Sequence, residues 1–176
     1  GEALDKAAKM LGLGYPGGPV IERLAAEVKN QDFYQFPRPM AKSQTLEFSF
    51  SGLKTSFFYF LKKISQEEKS KKMRELSSSF QEAVFETLVL KTQLAIKKAG
   101  INRLVVGGGV IANLHLRKLL RDLLKRHSGT VYFPPYPYLT GDNAAMIGVA
   151  AYFKAQKGMF IKDIERLDRV PRLQLA

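Results

Sequence analysis

The chain has 176 residues, enough for one domain of ordinary size with a real core. It has no cysteine, which excludes a disulfide framework and thiolate metal sites, and its apolar runs fall short of the ~20 residues that span a bilayer, so a cytoplasmic protein with no membrane partner is expected. The 28 Lys and Arg against 16 Asp and Glu give a net charge of +12, which suits a polyanion such as nucleic acid, although a solvated lysine-rich surface produces the same excess.

In chain order, residues 3–11 are predicted helical, with Leu4, Ala7, Ala8 and Leu11 on one face. The opening Gly1-Glu2-Ala3 has no initiator Met and no capping residue ahead of that helix, which reads as truncation upstream. Gly12 and Gly14 stop the helix, and Tyr15-Pro16-Gly17-Gly18-Pro19 is a turn. Pro19 is expected at the first position of a second helix that carries Ile21, Leu24, Ala25 and Val28 inward and ends near Asn30. Residues 31–43, with Pro37 and Pro39, read as loop, and Thr45–Phe50 alternates as a half-buried strand does.

A helix is predicted over 52–64 and a polar, charged break over 65–72. A long helix follows over 72–99, with Leu76, Phe80, Val84, Leu88 and Ala95 as its stripe and Gly100 as its stop. Residues 103–106 and 130–133 read as buried strands, with a helix over 111–126 between them, which argues for a parallel pair joined by a right-handed crossover. The last substantial helix is expected over 142–156, its Ala and Gly permitting close packing, and the basic tail 158–176 is expected to be irregular. About three strands for so many helices suggests part of a larger α/β domain.

Three segments could carry chemistry. A strand running into Gly107-Gly108-Gly109 and then a helix lets the backbone approach a ligand, and free amides at a helix start suit a phosphate or a nucleoside edge. Asn113 adds an amide with both donor and acceptor. A strand-to-helix turn that binds nothing has the same glycines, and no G-x-G-x-x-G is present. Asp142 stands at a helix start, as an N-cap or as a carboxylate aimed at a cation. Asp5 and Glu22 flank the Gly17-Gly18 turn and could grip ribose hydroxyls, or simply be surface acids. His115 and His127 stand at opposite ends of one helix, unlike a metal pair, and Arg117, Lys118, Arg121, Lys125 and Arg126 stripe that helix as a solvated face or an RNA contact.

Four stretches, taken together and in this order, resemble the TsaD family, also labelled Gcp or O-sialoglycoprotein endopeptidase. They are Gly1-Glu2-Ala3-Leu4-Asp5-Lys6 continuing through Leu13-Gly14-Tyr15-Pro16-Gly17-Gly18-Pro19; Phe48-Ser49-Phe50-Ser51-Gly52-Leu53-Lys54-Thr55; Gly108-Gly109-Val110-Ile111-Ala112-Asn113; and Thr140-Gly141-Asp142-Asn143-Ala144-Ala145-Met146-Ile147. The resemblance implies an α/β fold: the C-terminal lobe of an actin/Hsp70-like (ASKHA, RNase H-like) protein, helix-rich with a small, mostly parallel sheet, the N-terminal lobe missing. That lobe would take residues 1–157, with a helical segment over about 52–99, and 158–176 would be its basic tail.

The implied activity is transfer of threonylcarbamoyl from threonylcarbamoyl-AMP to the adenosine 3′ of the anticodon in tRNAs that read ANN codons. Asp5, Gly18 and Asn113 match the family's substrate or nucleotide contacts, Glu22 an additional ribose contact, and Asp142 its carboxylate metal ligand. The implied cofactor is one divalent metal ion per subunit, Fe2+ with Zn2+ as the alternative, beside ATP or threonylcarbamoyl-AMP as ligand. The family's His-x-x-x-His motif is absent, and Gly141 stands where relatives commonly keep Cys-Thr-Asp-Asn, so this piece is expected to be inactive alone and no catalytic residue is assigned. The implied partners are tRNA, TsaB-like and TsaE-like proteins, and a second copy as a homodimer. The alternatives are a metallopeptidase, for which no metal-bound water and base set is visible, and a non-catalytic module that binds nucleotide or pairs with a paralogue.

Overall fold

The computed structural model describes residues 1–166 and 168. The chain divides into two compact units, Gly1–Gly141 and Asp142–Ala176.

In the first unit, α1 (Glu2–Leu11) is amphipathic and buries Ala3, Leu4, Ala7, Ala8 and Leu11. Gly12 closes it in the left-handed region at φ 80°, where a side chain would be strained. Helix α2 (Gly17–Glu27) starts two residues before Pro19, the expected first position. Its first amides find an acceptor outside the local sequence: Gly17 N and Gly18 N donate to Asp5 Oδ1 at 2.9 and 3.3 Å. It ends before Asn30, because Lys29 and Asn30 take positive φ.

Helix α3 (Ser51–Lys63) buries Leu53 and Phe57. The predicted break after it contains a short helix, α4 (Gln66–Lys71). Ser65 Oγ accepts from Glu68 N at 3.1 Å, and Glu67–Lys71 and Glu68–Lys72 pair one turn apart. Helix α5 (Met73–Ala99) is the spine, ending at Gly100 in the left-handed region. Phe80 meets Phe57 with ring centroids 4.8 Å apart, and Phe57 meets Phe36 edge-on at 5.1 Å. Burying each such ring is worth roughly 1.5–3 kcal/mol.

The buried face of α5 is also polar, and this decides the course of the chain beside it. Ser78 Oγ donates to Gln31 O at 2.7 Å, while Ser79 Oγ accepts from Phe33 N and Tyr34 N. Lys91, 5% exposed, donates to Ser43 O and Thr45 O at 2.9 and 2.7 Å. The stretch 45–50, expected as a strand, is irregular. Its start is fastened to a lysine ammonium, and no strand pairs with it among the described residues.

The sheet has two strands, β1 (Arg103–Val105) and β2 (Thr130–Tyr132). They run parallel as expected, with Leu104 opposite Val131. In each only the middle residue is half-buried, so the expectation of fully buried strands is corrected. Between them the chain makes a 3-10 turn (Gly109–Ala112) and then α6 (Leu114–Arg126). A helix was expected to run through Asn113. Instead Asn113 is extended (φ −61°, ψ 119°) and caps α6, its Oδ1 accepting from Leu116 N at 3.0 Å.

The second unit contains α7 (Ala144–Gln156) and a 3-10 turn (Ile164–Arg166). The helix starts two residues later than expected. Its cap is Asn143, whose Oδ1 accepts from Met146 N at 3.0 Å, so the expectation of Asp142 as the cap is corrected. The helix is apolar on every side and buries none of its residues. Residues 167 and 169–176 of the expected irregular tail lie outside the described residues. No helix among the described residues is long and apolar enough to cross a membrane.

Candidate functional site

The N-terminal ends of α2 and α6 meet at a pocket of about 320 Å³, bordered by Asp5, Gly18, Glu22 and Asn113 among others. Four residues separated by up to 108 positions thus come together. A larger hollow of about 580 Å³ beside β1 is lined mainly by core aliphatics such as Leu88, Leu104 and Leu120. Glu2 and Lys54, two of its few charged lining residues, are already paired with each other at 3.2 Å.

Each polar side chain at the smaller pocket holds the frame with part of its valence. Asp5 places Oδ1 on the two glycine amides, and its second oxygen has no hydrogen bond among the described residues. Glu22 reaches from α2 to α6, where Oε1 accepts from Leu114 N at 2.8 Å and Oε2 remains for another donor. Asn113 is 5% exposed, with Oδ1 on Leu116 N and Nδ2 donating to Gln81 Oε1 at 3.0 Å. Gln81, fully buried on α5, donates in turn to Asn30 Oδ1 at 2.9 Å. The chain Asn30–Gln81–Asn113 fixes both the amide plane of Asn113 and its position at the pocket wall.

The glycines divide by what surrounds them. A Cβ on Gly17 would lie 2.5 Å from Ala8 Cβ and 2.8 Å from Asp5 Cα, so Gly17 is needed for α1 and α2 to approach. A Cβ on Gly18, Gly107 or Gly109 would meet nothing within 4 Å, and those backbone faces are open. Gly108 needs its lack of side chain for a different reason, a φ of 94° that turns the chain out of β1.

Sequence reading missed Gly17 and Gln81. Gly17 carries no signal apart from its neighbour Gly18. Gln81 does carry one: it lies in Ser77-Ser78-Ser79-Phe80-Gln81, a polar run set among the apolar positions Leu76, Phe80 and Val84 of the buried face.

Asp142, the expected metal ligand, is an exposed residue of the second unit. Among the described residues no group of three or more His, Asp or Glu side chains could hold a metal ion. His115 is engaged otherwise, with Nε2 2.6 Å from Glu82 Oε1. One carboxylate does not fit an iron or zinc ion, which needs about three or more protein ligands.

Known proteins agree with the segment pattern. The family model described as TsaD, tRNA N6-adenosine threonylcarbamoyltransferase, matches residues 1–149. A protein of that name from Kosmotoga olearia is 48% identical over 91% of this chain and 46% of its own length. Its namesake from Thermosipho africanus is 43% identical over 99% of this chain and 51% of its own length, and that from Endomicrobium trichonymphae is 45% identical over 99% and 50%. The chain spans about half the length of these relatives. With its motifs in family order and the match running through both units, the chain belongs to the TsaD family.

Proposed function

We propose that this chain is the nucleotide-holding part of a tRNA N6-adenosine threonylcarbamoyltransferase, and that its 320 Å³ pocket receives the adenylate portion of threonylcarbamoyl-AMP or ATP. One observation carries the reading: Asp5, Gly18, Glu22 and Asn113 border a single pocket at two helix starts. Asp5 and Glu22 each keep one carboxylate oxygen beyond their frame bonds, a pair suited to ribose hydroxyls. The open backbone at Gly18 and Gly109 lets a flat or anionic group approach without a Cβ in the way.

In the transfer, the adenosine amine of tRNA bonds to the carbamoyl carbon, the anhydride bond to AMP breaks, and the amine loses a proton. The residues of this pocket bind and orient the AMP portion in that step. Both carboxylates already accept backbone amides, so neither is assigned as a base. The implied iron or zinc ion finds only Asp142 among its named ligands here, and one carboxylate does not fit it. The finer reading places the chain as the C-terminal lobe of an ASKHA-type protein that works with TsaB-like and TsaE-like partners, inactive by itself.

Isothermal titration of the chain with AMP tests the pocket. AMP is expected to bind, and Asn113→Ala to weaken it by about tenfold, the equivalent of ~1.4 kcal/mol. Absence of binding, or binding indifferent to that change, sinks the assignment. In a full-length relative, the same replacement at the aligned position should depress threonylcarbamoyl transfer to tRNA, with no accompanying peptide cleavage.

A further inference from the structure

The start of α6 is held against α5 by two neighbouring bonds. Asn113 Nδ2 donates to Gln81 Oε1 at 3.0 Å, and His115 Nε2 lies 2.6 Å from Glu82 Oε1. The two differ in setting. Glu82 and His115 are half-buried, whereas Gln81 is fully buried and Asn113 is 5% exposed. An apolar side chain at position 81 would fill the same space without desolvating an amide, so packing by itself does not call for glutamine.

One backbone group sets the direction of every bond in this relay. Leu116 N–H can only donate, so the atom of Asn113 that faces it at 3.0 Å is the carbonyl oxygen. The amide of Asn113 is therefore turned with Nδ2 towards α5, where Gln81 has to present Oε1. Gln81 Nε2 then faces Asn30, which has to present Oδ1, at 2.9 Å. Turning Asn113 or Gln81 by half a rotation would set N–H against N–H and oxygen against oxygen. Asn30 is itself placed by its backbone, N donating to Ala25 O at 2.8 Å with φ at 53°. The end of α2 is thus joined to the start of α6 through the middle of α5.

Asn113 Nδ2 carries two hydrogens, and Gln81 takes one. The other has no partner among the described residues, and Asn113 borders the 320 Å³ pocket. Of the described residues that line this pocket, Asn113 is the one with a side-chain N–H or O–H. Asp5 and Glu22 accept when ionised, and the remaining side chains are apolar. A heterocycle presents ring nitrogens with lone pairs, which a carboxylate repels and an amide N–H binds. The pocket therefore divides its chemistry, with carboxylate oxygens for hydroxyls and an amide hydrogen for a ring nitrogen.

We propose that Gln81, which does not line the pocket, is a positioning residue for it. Gln81 holds Asn113 Nδ2 in the orientation that donates to a ring nitrogen of the bound purine, so the pocket rejects a purine that lacks this acceptor. The assignment rests on the reading of the pocket as an adenylate site and deepens it.

The test is isothermal titration of the chain with AMP and with 1-deaza-, 3-deaza- and 7-deaza-AMP, each of which lacks one ring nitrogen. The parent is expected to bind one of the three about tenfold more weakly than AMP, the worth of one hydrogen bond. Gln81→Met keeps the shape of the side chain and removes the acceptor. AMP affinity should fall about tenfold, and the preference over that analogue should shrink to about twofold or less. Gln81→Glu should restore both. Burial favours its protonated form, whose carbonyl oxygen accepts from Asn113 and whose hydroxyl donates to Asn30. Asn30→Gly suits the positive φ and removes the far anchor, so the preference should shrink there too, to about threefold, even where Gln81→Met is too unstable to titrate.

Glu82→Ala is the control, because it breaks the neighbouring bond between the same two helices and leaves the relay intact. Its preference should match the parent's. The role of Gln81 is overturned if Gln81→Met or Asn30→Gly keeps the full preference, or if Glu82→Ala loses it as well. It is overturned equally if the parent binds all four nucleotides alike, and the pocket then stands without it. A parent that binds no AMP removes the adenylate site and the role of Gln81 together.

Discussion

Two helices begin at the rim of the same pocket, and their first amides are satisfied by opposite means. At α6 the cap is local: Asn113 accepts from Leu116 N, three residues on, and Glu22 adds a bond to Leu114 N from across the pocket. At α2 the local N-cap is Pro16, which makes no side-chain cap bond, and Asp5 supplies the acceptor from 12 and 13 residues upstream. A local cap survives small shifts of its neighbours because cap and helix move together. A borrowed cap holds only while α1 and α2 stay in register. Backbone spacing should therefore dominate at α2, and side-chain bonding at α6.

The contrast breaks most severely at Gly17. Gly17→Ala places a Cβ 2.5 Å from one atom of α1 and 2.8 Å from its backbone, neither of which is a flexible side-chain end. The helices must separate, and the cap separates with them. A loss of about 3 kcal/mol is expected, at the upper part of the overpacking range, read as a lowered urea midpoint. An unchanged midpoint would show that the α1–α2 spacing is not what fixes this end of the pocket.

At α6, Asn113→Ala removes the cap, about 1 kcal/mol, and strands the buried Oε1 of Gln81, about 1–2 kcal/mol more. A double-mutant cycle with Gln81→Leu sharpens this. The second change deletes the stranded acceptor, so the two losses should fall short of additive. Asp5→Ala comes next, at about 1–2 kcal/mol, since it leaves two amides at an accessible helix end where water can reach them. Hydrogen exchange at Gly17 and Gly18 should accelerate in that variant and stay slow in Asn113→Ala.

The same contrast explains what the sequence could reveal. Helices α1, α3 and α5 were legible because their apolar residues recur at helical spacing, and α1 and α5 also close on a local signal, Gly12 and Gly100. The start of α2 was not, because its cap comes from another helix. The stretch 45–50 alternates as a strand does, and nothing in it announces that Lys91, 46 residues on, takes Thr45 O. At α7, Asp142 and Asn143 are equally able caps as residue types, and only backbone geometry selects Asn143. Asp5, Glu22 and Asn113 stood out as candidates in their own segments, and the resemblance to a family added Gly18 and gave the four their roles; their bond partners, Gln81 above all, needed the packing of α5.

The smallest expected effect on stability is at Gly18, and it separates frame from pocket most cleanly. Gly18 and Gly17 are adjacent and both donate to Asp5 Oδ1, yet a Cβ on Gly18 meets nothing within 4 Å. Its φ is not positive, so alanine fits the backbone, and alanine is the better helix former. Gly18→Ala should therefore leave the urea midpoint within about 0.5 kcal/mol of the parent, or raise it slightly. The new methyl group borders the 320 Å³ pocket, however, where it displaces volume a nucleotide would use. AMP affinity should fall while stability holds. Gly17→Ala should lose both together. If Gly18→Ala instead destabilises the chain, the open space beside it is not open in solution. If it binds AMP as well as the parent does, the nucleotide does not approach over this turn.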